Sequence, residues 1–159
     1  MNMKTNFIGL DAQKSKEIVN QLNDLLANYQ IFYQNLRGFH WNIKGKLFFG
    51  LHAKFEEYYR DAMDKADEIA ERILALGETP LHAYSDYMKK SDIKEVVGVS
   101  DPNVCIEDIV KNLLILLKKE HQIMALAAEA GDDGTQDMIN PYISEQEKTL
   151  WMLRAYLNE

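Results

Sequence analysis

The chain has 159 residues, with 18 lysines and arginines against 25 aspartates and glutamates, and a formal net charge of −7. That length predicts one domain, residues 1–159, large enough to bury a hydrophobic core. The acidic balance disfavours binding to a phosphate backbone and suits cations. No apolar run reaches the roughly 20 residues that cross a bilayer, so no membrane association is expected. The single cysteine, Cys105, excludes an internal disulfide framework and indicates a reducing compartment, which predicts a cytoplasmic protein.

Apolar residues recur every three or four positions along four long segments, which predicts four helices. The first covers about residues 11–38 and follows a short N-terminal tail, residues 1–10, that lacks the order of a secretion signal. The second covers about residues 47–76 and ends at a glycine, a common helix C-cap. The third and fourth cover about residues 103–130 and 134–157.

The connections between these helices indicate how they are arranged. Residues 42–46 and 131–134 are short turns, which join neighbouring helices as antiparallel hairpins. The middle connection, residues 77–102, is long enough to carry structure of its own, and residues 83–91 are predicted as a short helix. Two hairpins joined by one long crossover predict an all-α, ferritin-like four-helix bundle with a short helix in the crossover between helices two and three. Bundles without a metal share this layout.

The second helix carries two pairs of side chains that are common metal ligands. His52 and Glu56 are four residues apart, as are Asp67 and Glu71, so each pair shares a helix face. His40 precedes the first turn, and an antiparallel hairpin brings it near His52. Imidazole and carboxylate together suit Fe(II), and zinc can occupy the same ligands. Taken singly, an acidic pair on a helix is more often a solvated surface and a histidine at a helix end more often a surface residue.

The spacing along the second helix indicates that a metal site would need two subunits. His52 and Asp67 are 15 residues apart, which separates them by about 22 Å along a straight helix. One chain therefore cannot place both on one ion. Two copies of the helix packed antiparallel about a two-fold axis near Tyr59 and Arg60 would bring His52 of one beside Asp67 of the other.

Three short runs of residues resemble the Dps family of mini-ferritins. They are His40-Trp41 with Gly45, then Phe49, His52 and Phe55-Glu56, then Asp67 and Ala70-Glu71-Arg72. The Gly131-Asp132-Asp133 turn and the last helix, which contains Trp151, are also similar to that family, so the resemblance covers nearly the whole chain.

The resemblance implies a shell of twelve subunits, built through two-fold and three-fold interfaces, with di-iron ferroxidase sites at the dimer interfaces. It implies that His40, His52 and Glu56 come from one subunit and Asp67 and Glu71 from its partner. Glu56 stands where the family often has Asp. Trp41 would lie beside the site as a shield or electron donor.

The resemblance further implies that Fe(II) is oxidised, with hydrogen peroxide preferred, and that Fe(III) is stored as a mineral, which protects the cell from oxidative damage. Asp133 and Asp137 match acidic positions that line the family's iron-entry pores at the three-fold axes. Helix capping is an alternative role for these two acids, because negative charge near a helix N-terminus is favourable.

The alternative function is that of a nucleoid-binding stress protein with minor ferroxidase activity. Family members that condense DNA use tails rich in Lys and Arg, whereas residues 1–10 contain only Lys4 and the chain ends Asn158-Glu159. DNA binding is therefore expected to be absent or weak. A helical scaffold with a weakened metal site is a third possibility, against which the full ligand set argues. Lys118-Lys119 is predicted as a solvated surface, and His82 and His121 are assigned no function.

Overall fold

A computed structural model of the protein describes residues 4–158. Four long helices and one short helix follow in the predicted order, and the described residues contain no strand. Their bounds are α1 (Ala12–Asn42), α2 (Phe48–Ala75), α3 (Tyr84–Lys90), α4 (Pro102–Ala130) and α5 (Asp133–Leu157). The all-α fold and the short helix in the crossover are thereby confirmed. None of the described helices is long and apolar enough to cross a membrane.

Helix α1 begins where predicted but ends one turn later. Asp11 caps its start by accepting hydrogen bonds from the backbone N–H groups of Gln13 at 3.0 Å and Lys14 at 2.9 Å. The predicted end at Gly38 is wrong, because the helix runs on to Asn42. Phe39 is buried in the core, and this packing outweighs the low helix propensity of the glycine before it. As a result, His40 projects from a helix rather than a loop.

The core lies between the two helix pairs. Helix α1 packs against α2 and α4, and α4 packs against α5. Burial of the apolar stripes is the main source of stability in such a bundle. Fully buried members of the core include Ile18, Leu22, Leu25, Leu36, Phe55, Ile69, Ile73, Ile109, Leu116, Ile123 and Ile139.

Two buried asparagines of α1 hold the long crossover against the bundle. The Asn28 side-chain oxygen accepts hydrogen bonds from the backbone N–H groups of Asp92 and Ile93, each at 3.0 Å. Seven residues later, Asn35 donates to the backbone carbonyl of Lys94 at 2.8 Å and accepts from the N–H of Val96 at 3.0 Å. Residues 92–96 have no helix or sheet to satisfy their backbone, so these side chains provide the partners that buried polar groups require.

Lys119, which the sequence predicts to be a surface residue, is buried beside the crossover. Lys119 of α4 is 8% exposed, and its ammonium donates to Asp24 at 2.8 Å and to Asp92 at 2.6 Å. The prediction that Lys118-Lys119 is a solvated pair is therefore wrong for Lys119. Its partners come from α1 and the crossover, and local sequence gives no sign of them.

The predicted tail folds back onto the bundle as far as it is described. Thr5 forms an isolated bridge with Asp11, and the Asn6 side chain donates to Ser15 at 3.1 Å. The Phe7 ring lies against Gly77, whose φ of +95° is the left-handed conformation expected of a helix-ending glycine. Residues 1–3 of the predicted tail lie outside the described residues, and the single-domain organisation stays a prediction.

Candidate metal centre

The two histidines separated by twelve residues meet where α1 ends and α2 begins. Their rings stack, with centroids 3.8 Å apart and planes inclined by 18°. His40 Nδ1 lies 2.7 Å from the backbone carbonyl oxygen of His52, and His52 Nδ1 lies 2.7 Å from the carbonyl oxygen of His40. The prediction that the first hairpin turn brings these side chains together is confirmed.

This reciprocal bonding determines the tautomer of both rings. A carbonyl oxygen can only accept, so each Nδ1 must carry a proton, and in the neutral form of each ring the lone pair lies on Nε2. The arrangement is the one that orients histidine ligands in metal sites, where one ring nitrogen donates to a carbonyl and the other faces the metal. It also satisfies the His40 carbonyl, which belongs to the last turn of α1 and lacks a helical partner. The two bonds and the ring stacking thus hold each imidazole in one orientation.

Aromatic side chains surround the pair. The Tyr59 ring meets His40 edge-on at 5.3 Å, and the Phe48 ring stacks on His52 at 5.0 Å. Trp41 is 56% exposed, and its ring lies 4.6 Å from the guanidinium carbon of Arg37. The rings of Tyr59 and His52 cover His40, which is only 8% exposed.

Glu56 lies one turn beyond His52 on α2, on the same side of the helix. Its carboxylate forms an ion pair with the guanidinium of Arg60, one further turn along. This bond raises the pKa of the fully exposed Arg60 guanidinium. Glu56 is therefore near the histidines but already has a cationic partner, which a metal ion would have to displace.

Asp67 and Glu71 lie farther along α2 and are both exposed. Because α2 is one continuous helix, the predicted separation of about 22 Å between His52 and Asp67 along its axis applies to this structure. Asp67 lines a cleft of about 430 Å³ that is closed on one side by the crossover. Glu71 lines a groove of about 790 Å³ between α2 and α5. The structure therefore groups the predicted ligands into a histidine pair at one end of α2 and a carboxylate pair toward the other.

No three His, Cys, Asp or Glu side chains converge within residues 4–158 in a way that could hold a metal ion. The bundle interior, where many ferritin-like proteins bind metals, contains one fully buried carboxylate, Glu120. Tyr29 donates to it at 2.7 Å and the Gln146 amide at 2.7 Å. Burial raises its pKa, the dominant effect over the two hydrogen bonds that lower it. One carboxylate among hydroxyl and amide groups does not make a di-iron cage.

The predicted pore acids, Asp133 and Asp137, lie in the first turns of α5, next to a turn that Arg72 of α2 contacts. Asp132, rather than Asp133 or Asp137, caps α5 by accepting from the Thr135 N–H at 3.0 Å. Buried Asp132 also pairs with the Arg72 guanidinium, which donates to the Thr135 hydroxyl at 3.0 Å. The side chain that caps α5 is therefore that of Asp132 and not that of either predicted pore acid. Asp133 is exposed in the first turn of α5, and Asp137 lines the same groove as Glu71.

Sequence reasoning missed the polar groups whose partners lie on other helices. Arg72 was noted only as part of a motif, yet its guanidinium lies so close to Gly134 that a Cβ there would meet it at 2.9 Å. Glu120 had a usable signal, because it interrupts the apolar stripe of α4 between Leu116 and Ile123.

Comparison with known proteins places the chain in a family. Residues 19–159 match the model of the ferritin-like domain. The chain is 43% identical to the DNA protection during starvation protein of Porphyromonas gingivalis, over 93% of each chain. The crystal structure of the Dps protein from Vibrio cholerae O1, a ferritin-like diiron-carboxylate protein, is 51% identical, covers 99% of each chain and gives a TM-score of 0.96.

A structure of Dps from Listeria innocua soaked with 10 mM zinc is 30% identical, covers 89% of this chain and 97% of that one, and gives a TM-score of 0.86. The fold thus defines a ferritin-like four-helix protein. Within that class, the chain belongs to the Dps family.

Proposed function

We propose that this protein oxidises Fe(II) at sites shared between two subunits and stores the resulting Fe(III) inside a shell of twelve chains in the cytoplasm. His40, His52 and Glu56 of one subunit, with Asp67 and Glu71 of its partner, are the proposed ligands. Iron is the substrate and the cargo, and zinc is expected to compete for the same ligands.

The observation that carries this proposal is the reciprocal histidine pair. Two imidazoles are bonded through Nδ1 to each other's backbone carbonyl, so the nitrogen left for a metal in each neutral ring is Nε2. Core packing alone would favour apolar side chains over a stacked imidazole pair. Preorganised nitrogen ligands beside a half-exposed carboxylate suit a divalent transition metal.

A shared site follows from the geometry of α2 together with its exposed face. On a helical projection, Met63 and Asp67 lie within about 60° of His52. Phe49, on the same face, is 86% exposed, and Trp41 at the end of α1 is also exposed. Apolar side chains gathered around a half-built ligand set are typical of a surface that a partner covers. A second copy across a two-fold axis supplies the missing carboxylates.

The proposed chemistry transfers two electrons from two Fe(II) ions to one hydrogen peroxide, which with two protons gives two Fe(III) and two waters. Pairing the irons avoids a one-electron step that would release hydroxyl radical. Carboxylates then attract further iron, because the α2–α5 groove is lined by Asp61, Asp64, Glu68, Glu71, Asp137 and Glu145. Asp133 and Asp137 are the proposed acids of the entry pore.

Protection of DNA, which the name of the Porphyromonas relative states, needs no contact with DNA if iron and peroxide are removed. The chain carries a net charge of −7, and residues 4–10 carry one lysine and lie against the bundle. We therefore propose weak or no DNA binding. A gel shift by submicromolar protein at moderate salt would contradict this.

The test of the proposal is absorbance after rapid mixing with Fe(II) and then peroxide. His52→Gln and Asp67→Asn are each expected to slow oxidation by on the order of 100-fold, as loss of a ligand does. Their mixture should recover activity, because a dimer with one chain of each kind has one site with both native residues. His121→Gln is the matched control. An inert wild-type protein, or variants as active as wild type, would refute the ferroxidase proposal.

The assembly has its own measurement, which is the mass in solution. A particle of twelve chains of 18.4 kDa is expected. A stable monomer that still oxidises iron would refute the shared site.

A further inference from the structure

His82 lies in the crossover and is held in place by its neighbours. The backbone N–H of Leu81 donates to the Asn23 side chain at 2.8 Å, and the Leu81 carbonyl accepts from the Tyr87 hydroxyl at 2.9 Å. Pro80 precedes them and has a fixed φ. Although the His82 side chain is exposed, the backbone that carries it is therefore anchored to α1 and α3.

The ring of His82 has the same protonation pattern as the two histidines of the proposed site. Its Nδ1 lies 2.9 Å from the carbonyl oxygen of Pro80, so Nδ1 carries a proton, and in the neutral ring the lone pair lies on Nε2. Three of the four histidines of the chain thus have Nδ1 bound to a backbone carbonyl. The same Nδ1 contact orients histidines that bind metals through Nε2.

His82 shares its surroundings with a proposed ligand. Asp67 and His82 line the same cleft of about 430 Å³, one from α2 and the other from the crossover. The small side chains Ala66 and Ala70 form part of its wall and leave room beside the carboxylate. The cleft thus combines an oriented imidazole with a carboxylate that is expected to face the partner's histidines.

We infer that His82 is a further ligand of the shared metal site, contributed by the subunit that provides Asp67. This inference rests on the proposed function, because Asp67 marks where the ion lies. A third imidazole shifts the site toward Fe(II), Co(II) and Zn(II) and away from Mg(II) and Ca(II), which prefer oxygen ligands. His82 is thereby a residue that determines metal specificity.

The experiment measures Co(II) binding to the assembled, metal-free protein by visible absorbance. His82→Gln is expected to weaken binding by about tenfold and to change the d–d spectrum, since an imidazole ligand is lost. His121→Gln, an exposed histidine of α4 outside the cleft, is the matched control and should bind as wild type does. Gel filtration verifies that both variants assemble.

A double-mutant cycle separates a ligand from a residue that acts elsewhere. In an Asp67→Asn background, His82→Gln should have a much smaller effect, because groups that share an ion are not additive. Wild-type Co(II) affinity in His82→Gln, or the same loss with and without Asp67, would overturn the inference. If His52→Gln and Asp67→Asn both oxidise Fe(II) at the wild-type rate, the proposed function itself is wrong. Because neither variant changes His82, this result is distinguishable from a failure of the inference about His82.

Discussion

Replacing Asn28 by alanine should release the crossover from the bundle. Asn28 is fully buried, and its side-chain oxygen accepts three hydrogen bonds, from the Ser91 hydroxyl at 3.1 Å and from the backbone N–H groups of Asp92 and Ile93. Its amide also donates to the Asp24 carbonyl at 2.8 Å. Alanine removes all of these bonds and leaves a space.

The expected loss of stability can be built from the separate contacts. The Ile93 N–H is buried and would lose its partner, which costs about 1–3 kcal/mol, and the half-buried Asp92 N–H adds about 1 kcal/mol. The Ser91 hydroxyl keeps a bond to the Ile93 carbonyl at 2.8 Å, so it adds little. A total near 3 kcal/mol corresponds to about a hundredfold change in a local opening equilibrium.

Amide hydrogen exchange in the intact assembly measures this directly. The Ile93 amide should exchange about a hundredfold faster in Asn28→Ala, while amides in the middle of α4 keep their protection. Asn20→Ala, an exposed asparagine of the same helix, should leave Ile93 unchanged. Unaltered protection of Ile93 in Asn28→Ala would refute the view that this side chain holds the crossover.

Three further outcomes are expected. Burial raises the pKa of Glu120 above its ordinary value of 4.5, so its contribution to stability is greatest below that pH and is lost as pH rises toward the folded-state pKa. Denaturant titrations should show Glu120→Gln gaining on wild type across that range, and a difference that does not vary with pH would contradict this. Arg72→Ala leaves the buried Asp132 without its cation and should cost about 3 kcal/mol by thermal unfolding; a melting temperature equal to that of wild type would oppose it. Burial also raises the pKa of Cys105 to about 11, so an alkylating reagent at pH 8 should label it only after denaturation.

The number, type and order of the helices could be predicted from the sequence, because apolar spacing and turn glycines are local signals. Gly77 ends α2 as predicted, with a positive φ that other residues rarely adopt. The end of α1 was missed because Phe39 continues the helix by packing on residues far away in the chain. Local propensity does not contain that information.

The meeting of the two histidines was predictable from the sequence, whereas their geometry was not, and the full ligand set stays a prediction. The twelve-residue spacing was enough to bring His40 and His52 together, since an antiparallel hairpin allows it. The reciprocal bonds depend on the directions of two side chains and two carbonyls, which spacing does not specify. Lys119 was assigned wrongly because its partners Asp24 and Asp92 come from α1 and the crossover. The Asp132 cap was not assigned, although its bond to the Thr135 N–H is local.

The mutual bonding of His40 and His52 affects how mutagenesis of this turn should be interpreted. Substituting either histidine removes its ring and frees the backbone carbonyl oxygen of the other histidine. The remaining ring keeps its bond to the backbone carbonyl at the substituted position but loses its stacking partner. A single substitution therefore perturbs two residues. The measured loss of metal affinity should exceed the loss expected from removing one nitrogen ligand. The loss in a double variant should be smaller than the sum of the losses in the two single variants.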